Sequence, residues 1–361
     1  MEAATRFGNW SVPFIVLLVQ RTVVITDARV LQPEFIPTEV AHRDAEVDHL
    51  SSVLAPITEG DRAEPAFLYG PSGVGKTCIA QFTVERLREA VLELNYQYVN
   101  CWEDYNRFKT LYRLLEGINR TVDVHRQATP QDVLLDRLRE YDGPPYVVIL
   151  DEVDQLTDKG LLYELYRIPT VTMVLIANDE SALFGTLDGR LTSRLQSATR
   201  IEFTPYSDDE LTAILADRVR WGFTEGVIDR PRLEAVANHA AGDARVAISV
   251  LRKAARTAEG TGLEEIPLEV IRESVPEAKA ALRQQTIDRL PRHQQTLYEI
   301  ISEAGEIDPG TLYDRYTAEV TTPKSRRMVR NYLSKLEQYN LIVAEGRTRG
   351  RLYRLAESAA D

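Results

Sequence analysis

LYGPSGVGKT, residues 68–77, runs from an apolar strand through a glycine-rich turn into a helix. Its last eight residues, Gly70, Pro71, Ser72, Gly73, Val74, Gly75, Lys76 and Thr77, satisfy G-x-x-x-x-G-K-[ST]. The strand before and the helix after supply the context this motif needs. The glycines let backbone N–H groups turn inward and cradle phosphate oxygens, and the helix start adds partial positive charge. Lys76 is then placed to reach the β- and γ-phosphates, and the Thr77 hydroxyl to ligate Mg²⁺. Cys78, the next helical residue, joins the nucleotide-binding set. The expected cofactors are ATP or ADP with Mg²⁺.

Outward from this loop, strands alternate with helices. Ala66–Tyr69, Tyr96–Asn100, Tyr146–Leu150, Val171–Ala177 and Ile201–Phe203 read as strands. Helical stretches fall at 43–54, 76–93, 104–118 and 130–141. That alternation predicts a parallel sheet with helices on both faces. From about Ser207 the pattern is helical only, at 207–221, 230–241, 243–259 and 267–275, which predicts a small helical lid. From about Thr286 come helices at 292–304, 309–319 and 322–339. Leu341–Ala344, a basic turn at 346–350 and Arg351–Leu355 follow them. Three helices and a hairpin match a winged helix-turn-helix.

The strand Tyr146–Leu150 ends in Asp151 and Glu152, 74 residues after Thr77. In P-loop ATPases the first such acid holds Mg²⁺ and the next orients the attacking water. Asp151 is therefore assigned to the metal with Thr77, and Glu152 to the water. Asn178 ends the strand Val171–Ala177, where its amide would sit beside the γ-phosphate. Arg194, and second to it Arg190, stand just before the last strand as candidates to reach a neighbour's γ-phosphate. Arg245, in Gly242-Asp243-Ala244-Arg245, opens a lid helix and could reach back across the nucleotide.

Composition narrows the function further. The 361 residues carry 55 acids against 43 bases, a net charge of −12, and only seven of the bases are lysine. Abundant acid with scarce lysine looks like the bias of salt-loving archaea, although a GC-rich genome also favours arginine. Two cysteines, Cys78 and Cys101, cannot make a disulfide framework, which points to a cytoplasmic setting. No zinc-finger spacing and no run of about 18 apolar residues occurs, so no membrane span is expected. The apolar stretch Ser11–Ile25 is broken by Pro13, Gln20 and Arg21, and is left as an extension, strand or tail.

Between 324 and 354 nine bases face two acids, a local net of +7 in an acidic chain. Such a reversal is the footprint of a nucleic-acid surface. Lys324, Ser325, Arg326, Arg327 and Arg330 open the third helix, where they could enter a major groove. Arg347, Arg349 and Arg351 belong to the wing. Met328, Val329, Leu333 and Leu336 are expected to face the core.

Together these segments resemble the AAA+ ATPases and, within them, archaeal replication initiators of the origin-recognition and cell-division-control type. The resemblance covers about residues 26–357. It rests on residues 30–57, on the loop, on VVILDEVDQL (147–156), on LIANDE (175–180), on FTPYSDDEL (203–211) and on GDARVAISVLRKAA (242–255). It implies that Pro37 and Arg43 line a base pocket, and Tyr206 is counted with them. It also implies a DNA-touching helical insertion within 104–141. Thr192-Ser193-Arg194 departs from the Ser pair common in the family, which leaves open the choice between Arg194 and Arg190.

The domain reading is an uncertain extension (1–25), an AAA+ α/β base (26–206), a helical lid (207–284) and a winged-helix DNA-binding domain (285–361). The expected function is that of a weak, Mg²⁺-dependent ATPase that binds duplex DNA at a replication origin. It would self-associate there and be nucleoid-associated. Recruitment of the replicative minichromosome maintenance helicase follows from the resemblance alone. A plasmid or proviral initiator, an ATP-regulated winged-helix transcription factor and a clamp-loader-like ATPase are the rival readings.

Overall fold

A computed structural model describes residues 23–33, 35–125, 128–185, 187, 189–346 and 351–356. Five parallel strands form the central sheet: β1 (Ala66–Tyr69), β2 (Asn95–Asn100), β3 (Tyr146–Asp151), β4 (Val171–Ala177) and β5 (Thr199–Glu202). Their order is β2-β3-β4-β1-β5. Every residue of β3 and β4 is buried, as suits near-continuous apolar runs covered on both faces. The pleat divides β3 between the two apolar layers of the first core, one on each face of the sheet. Val148 and Leu150 face α3 (Arg107–Glu116), α4 (Gln131–Arg139) and α5 (Gly160–Tyr166), whereas Val147 and Ile149 face α1 (Asp44–Leu54) and α2 (Lys76–Ala90). Two short helices, α6 (Glu180–Phe184) and α7 (Gly189–Leu195), link β4 to β5. Strand register sets Tyr69 opposite Ala177, Leu150 opposite Leu175 and Asn100 opposite Asp151. The functional ends of three strands therefore meet at one edge of the sheet.

The second core belongs to α8 (Asp208–Gly222), α9 (Arg230–Ala240), α10 (Ala244–Thr261) and α11 (Leu268–Arg289). Ser207 and Glu210 close a reciprocal capping box at the start of α8. The sequence pattern stops the last of these helices at 275, before Pro276, yet α11 continues for fourteen residues beyond it. Ile271, Val275 and Ala278 are buried against the lid core on both sides of the proline, and that packing outweighs the one lost backbone bond. Residues 24–31 also pack here, not on the sheet. Val24, Val30 and Leu31 are buried in the lid core, and the amides of Val24 and Ile25 donate to Glu259 Oε1 at 3.0 and 2.9 Å. Residues 1–22 of the extension lie outside the described residues; its last residues, 23–25, and the first residues assigned to the base thus lean on the lid.

A third core joins α12 (Arg292–Ala304), α13 (Pro309–Glu319) and α14 (Arg326–Gln338) to an antiparallel sheet. Its strands are β6 (Glu306–Ile307), β7 (Ile342–Glu345) and β8 (Leu352–Leu355), in the order β6-β8-β7. The long α11 runs into this unit, crossing the boundary read at 284. Arg283 on α11 donates to the carbonyls of Ala356 and Leu341 at 2.6 and 2.9 Å. Trp102, just after β2, is buried in this third core and ties it to the parallel sheet. Among the described residues no helix is long and apolar enough to cross a membrane.

Candidate functional site

The loop between β1 and α2 turns on glycines with positive φ. Gly73 (φ +79) and Gly75 (φ +94) lie in the left-handed region. A Cβ on Gly73 would fall 1.9 Å from Asp243 Oδ1, and one on Gly75 would fall 2.5 Å from the Tyr206 hydroxyl. The loop therefore accepts both neighbours only with bare backbone at these positions. The Ala244 amide donates to the Gly73 carbonyl at 3.0 Å, so the start of α10 rests directly on the loop.

Lys76 is buried and donates to the carbonyls of Gly70 (2.7 Å) and Pro71 (2.6 Å) and to Asn178 Oδ1 (3.2 Å). Burial pulls its ammonium down to about 8, against the attraction of Asp151. The Thr77 hydroxyl donates to Asp151 Oδ2 at 2.6 Å, and the Tyr98 hydroxyl donates to the same oxygen at 3.0 Å. Burial holds the Asp151 carboxyl above its usual range, opposed by these two hydrogen bonds. Burial and the adjoining Asp151 charge push Glu152 up to about 7. Glu152 is also a non-glycine residue in the left-handed region (φ 51, ψ 44). Its Oε2 accepts from the Tyr339 hydroxyl at 2.9 Å.

Lys76, Thr77, Asp151 and Asn178 thus come together from α2 and the ends of β3 and β4. Arg245 pairs with Asp243 at 3.1 Å, close enough for its charge to act on both Lys76 and Glu152. Val74 is buried, while Pro71 and Ser72 are exposed. Cys78 is half-buried on α2, and its thiol is pushed up by burial. Pro37 lies half-buried in the irregular segment before α1. Arg43 is buried and committed to internal partners. It donates to Glu46 at 2.7 Å and to the Thr204 carbonyl at 2.6 Å, and sits 4.1 Å from the Tyr206 ring centroid. Its geometry braces Tyr206 against the loop. Arg194 is exposed on α7; Arg190 lies on the same helix, its side chain outside the described residues.

At the C-terminal end, α14 begins at Arg326, later than the sequence pattern suggests. Ser325 is its N-cap, accepting from the Met328 amide. Lys324, Arg326, Arg327 and Arg330 are exposed. Arg326 stacks 4.7 Å over Tyr313. Val329, Leu333 and Leu336 are buried as expected, but Met328 is exposed at 37 % because it shares the basic face. Four of the seven described bases in this stretch are already partnered, Arg326 with Asp314 at 4.0 Å. Arg351 pairs with Glu337 at 3.1 Å, Arg354 pairs with Glu345 at 2.5 Å, and Lys335 donates to Gln155 Oε1 beside Glu152. Arg347 and Arg349 lie outside the described residues.

Sequence reasoning missed Tyr98, Asp243, Tyr339 and Trp102 at this site. Only the tyrosine alternation in β2 hinted at any of them.

Residues 39–176 match a family model described as the AAA ATPase domain, and residues 212–276 one described as the Cdc6 AAA+ ATPase-type lid domain. The ORC1-type DNA replication protein 1 of Halobacterium salinarum is 63 % identical over 308 residues, 85 % of this chain and 100 % of that protein. The chain belongs to the ORC1-type DNA replication proteins. A relative from Halobacterium accords with the acid-rich, lysine-poor composition. Among solved structures, the Aeropyrum pernix ORC1 protein in complex with DNA matches with a TM-score of 0.73 at 26 % identity, covering 92 % of this chain and 94 % of that one. The ORC2 protein of the same organism, solved as ADPNP–ADP complexes, matches with a TM-score of 0.64 at 25 % identity over the same shares. Membership of this AAA+ family implies nucleotide binding.

Proposed function

We propose that this chain is an ATP-dependent initiator of DNA replication that binds origin duplex and hydrolyses ATP slowly. The convergence of Lys76, Thr77, Asp151 and Asn178 under a lid that touches the loop carries the reading. Lys76 holds the β- and γ-phosphates, and the loop amides hold the rest of the phosphate chain. The Thr77 hydroxyl and the Asp151 carboxylate, 2.6 Å apart, are the hard oxygen donors that suit Mg²⁺. When bound, Mg²⁺ would neutralise charge developing on the phosphates. Glu152 accepts the proton of the attacking water, and Asn178 orients that water. Arg245 senses the nucleotide from the lid, and Arg194, or Arg190 beside it, serves the site of a neighbouring copy on DNA. Pro37, Cys78 and Tyr206 line the base side.

The unit of α12 to α14 with β6, β7 and β8 has the make-up of a winged helix-turn-helix. Lys324, Arg326, Arg327 and Arg330 would meet the duplex from the start of α14. That the Aeropyrum ORC1 protein was solved in complex with DNA supports DNA binding by this chain. The domains are read as a base, a lid and a DNA-binding unit, nucleoid-associated in the cytoplasm. Recruitment of the minichromosome maintenance helicase completes the role.

The test is to titrate the ATP-loaded chain with genomic duplex fragments across a salt series. Tight binding to a fragment from beside its own gene, weakened in Arg326→Ala/Arg327→Ala, supports an initiator. No duplex preference at any salt, with ATP binding intact, overturns it.

A further inference from the structure

The strongest feature outside the nucleotide loop is what the C-terminal unit does to Glu152. Tyr339 is the residue after α14, and its hydroxyl donates to Glu152 Oε2 at 2.9 Å across 187 residues of chain. The contact is braced on three sides. The Trp102 ring packs on the Tyr339 ring with centroids 4.2 Å apart. Trp102 Nε1 donates to the Arg289 carbonyl at 2.7 Å, which fixes the indole between sheet and C-terminal unit. One turn back along α14, Lys335 donates to Gln155 Oε1, and Gln155 is itself buried next to the acidic strand end. Glu152 therefore faces a phenol held in place by two separate parts of the molecule.

We propose that Tyr339 is a positioning residue that restrains ATP hydrolysis by occupying Glu152 while the C-terminal unit is docked. The inference rests on the reading of Glu152 given above. In that reaction the water oxygen bonds to the γ-phosphorus, the bond from that phosphorus to the bridging oxygen of ADP breaks, and the water proton passes to Glu152. The Oε2 lone pair that accepts the Tyr339 O–H is unavailable to a water proton, and the side chain is held toward that donor. Glu152 can accept the proton freely only when Tyr339 has moved away. Docking of the C-terminal unit and the rate of hydrolysis are thereby coupled through one hydrogen bond, with the nucleotide-holding residues left untouched.

The experiment compares steady-state ATP hydrolysis of the full chain with that of Tyr339→Phe, Tyr332→Phe and Glu152→Gln. Tyr339→Phe removes the hydroxyl and keeps the ring on Trp102. It is expected to raise kcat at least threefold, with KM for ATP within twofold and the thermal midpoint unchanged. Tyr332, on the same helix, stacks on His293 and has no contact with Glu152, so its phenylalanine variant should match the parent. A kcat in Tyr339→Phe that is unchanged, lower or undetectable overturns the inference. Equal hydrolysis by the parent and Glu152→Gln overturns the underlying reading of Glu152, and the two failures are thereby told apart.

Discussion

The nucleotide loop and the start of α14 both carry positive charge, but they are built in opposite ways. Around the loop, one ammonium is buried, and it donates to two carbonyls and an amide supplied by separate segments. At the start of α14, four cations stand exposed, while the buried residues of that helix are the apolar Val329, Leu333 and Leu336. Chemistry on a phosphate needs groups fixed within hydrogen-bond reach, whereas binding a duplex needs a field over a patch. The difference predicts that single substitutions break the loop, while the patch fails by degrees.

The largest effect is expected at the loop. Lys76→Ala removes a charged donor from a buried site, worth about 3 kcal/mol, so ATP affinity should fall on the order of 100-fold by calorimetric titration. A loss of less than tenfold would mean that the loop too acts as a diffuse field. Next comes the patch. Arg326→Ala/Arg327→Ala/Arg330→Ala should leave ATP affinity unchanged and reduce the slope of log affinity for duplex against log salt by about 2.7, at roughly 0.9 per phosphate contact. A collapse of binding after one of these substitutions would show fixed base readout in place of a field.

A smaller effect concerns buried charge. The folded chain holds a proton on Glu152 up to about pH 7, because burial and Asp151 raise it from an unfolded value near 4.5. The folded state thus binds more protons than the unfolded state between those values, and stability is lost as pH rises through that window. Denaturant midpoints of the nucleotide-free, metal-free chain should fall from pH 5 to pH 8, less steeply in Glu152→Gln. The smallest effect is at Arg351, which Glu337 already neutralises. Arg351→Ala should change the salt slope by less than about 0.5, well below one full phosphate contact.

What could be read from the sequence follows the same division. The loop is contiguous, so its spacing, its flanking strand and its helix are visible together. Asp151 and Asn178 follow because each ends a short, near-continuous apolar run of strand length in an alternating strand–helix pattern. Strand limits differ by one or two residues, as at Thr199–Glu202, since edge strands are only half covered. Contacts made by distant parts of the chain were invisible. Tyr98 and Tyr339 look like ordinary core tyrosines until the fold sets them against Asp151 and Glu152. Counting charge from 324 to 354 overstated the patch, because Asp314, Glu337, Glu345 and Gln155 take up four of its cations. The helix read at 267–275 runs on to Arg289 for a different reason: packing on both sides of Pro276 carries it through the proline.

Helix α14 is thirteen residues long, about 20 Å at the rise of an α-helix. One end presents cations outward and the other delivers Tyr339 to the acidic strand end. Under the proposed function, this one rod is shared by the nucleotide site and the duplex site, which makes them partners in a thermodynamic linkage, and linkage is reciprocal. The factor by which duplex shifts affinity for one nucleotide state must equal the factor by which that nucleotide state shifts affinity for duplex.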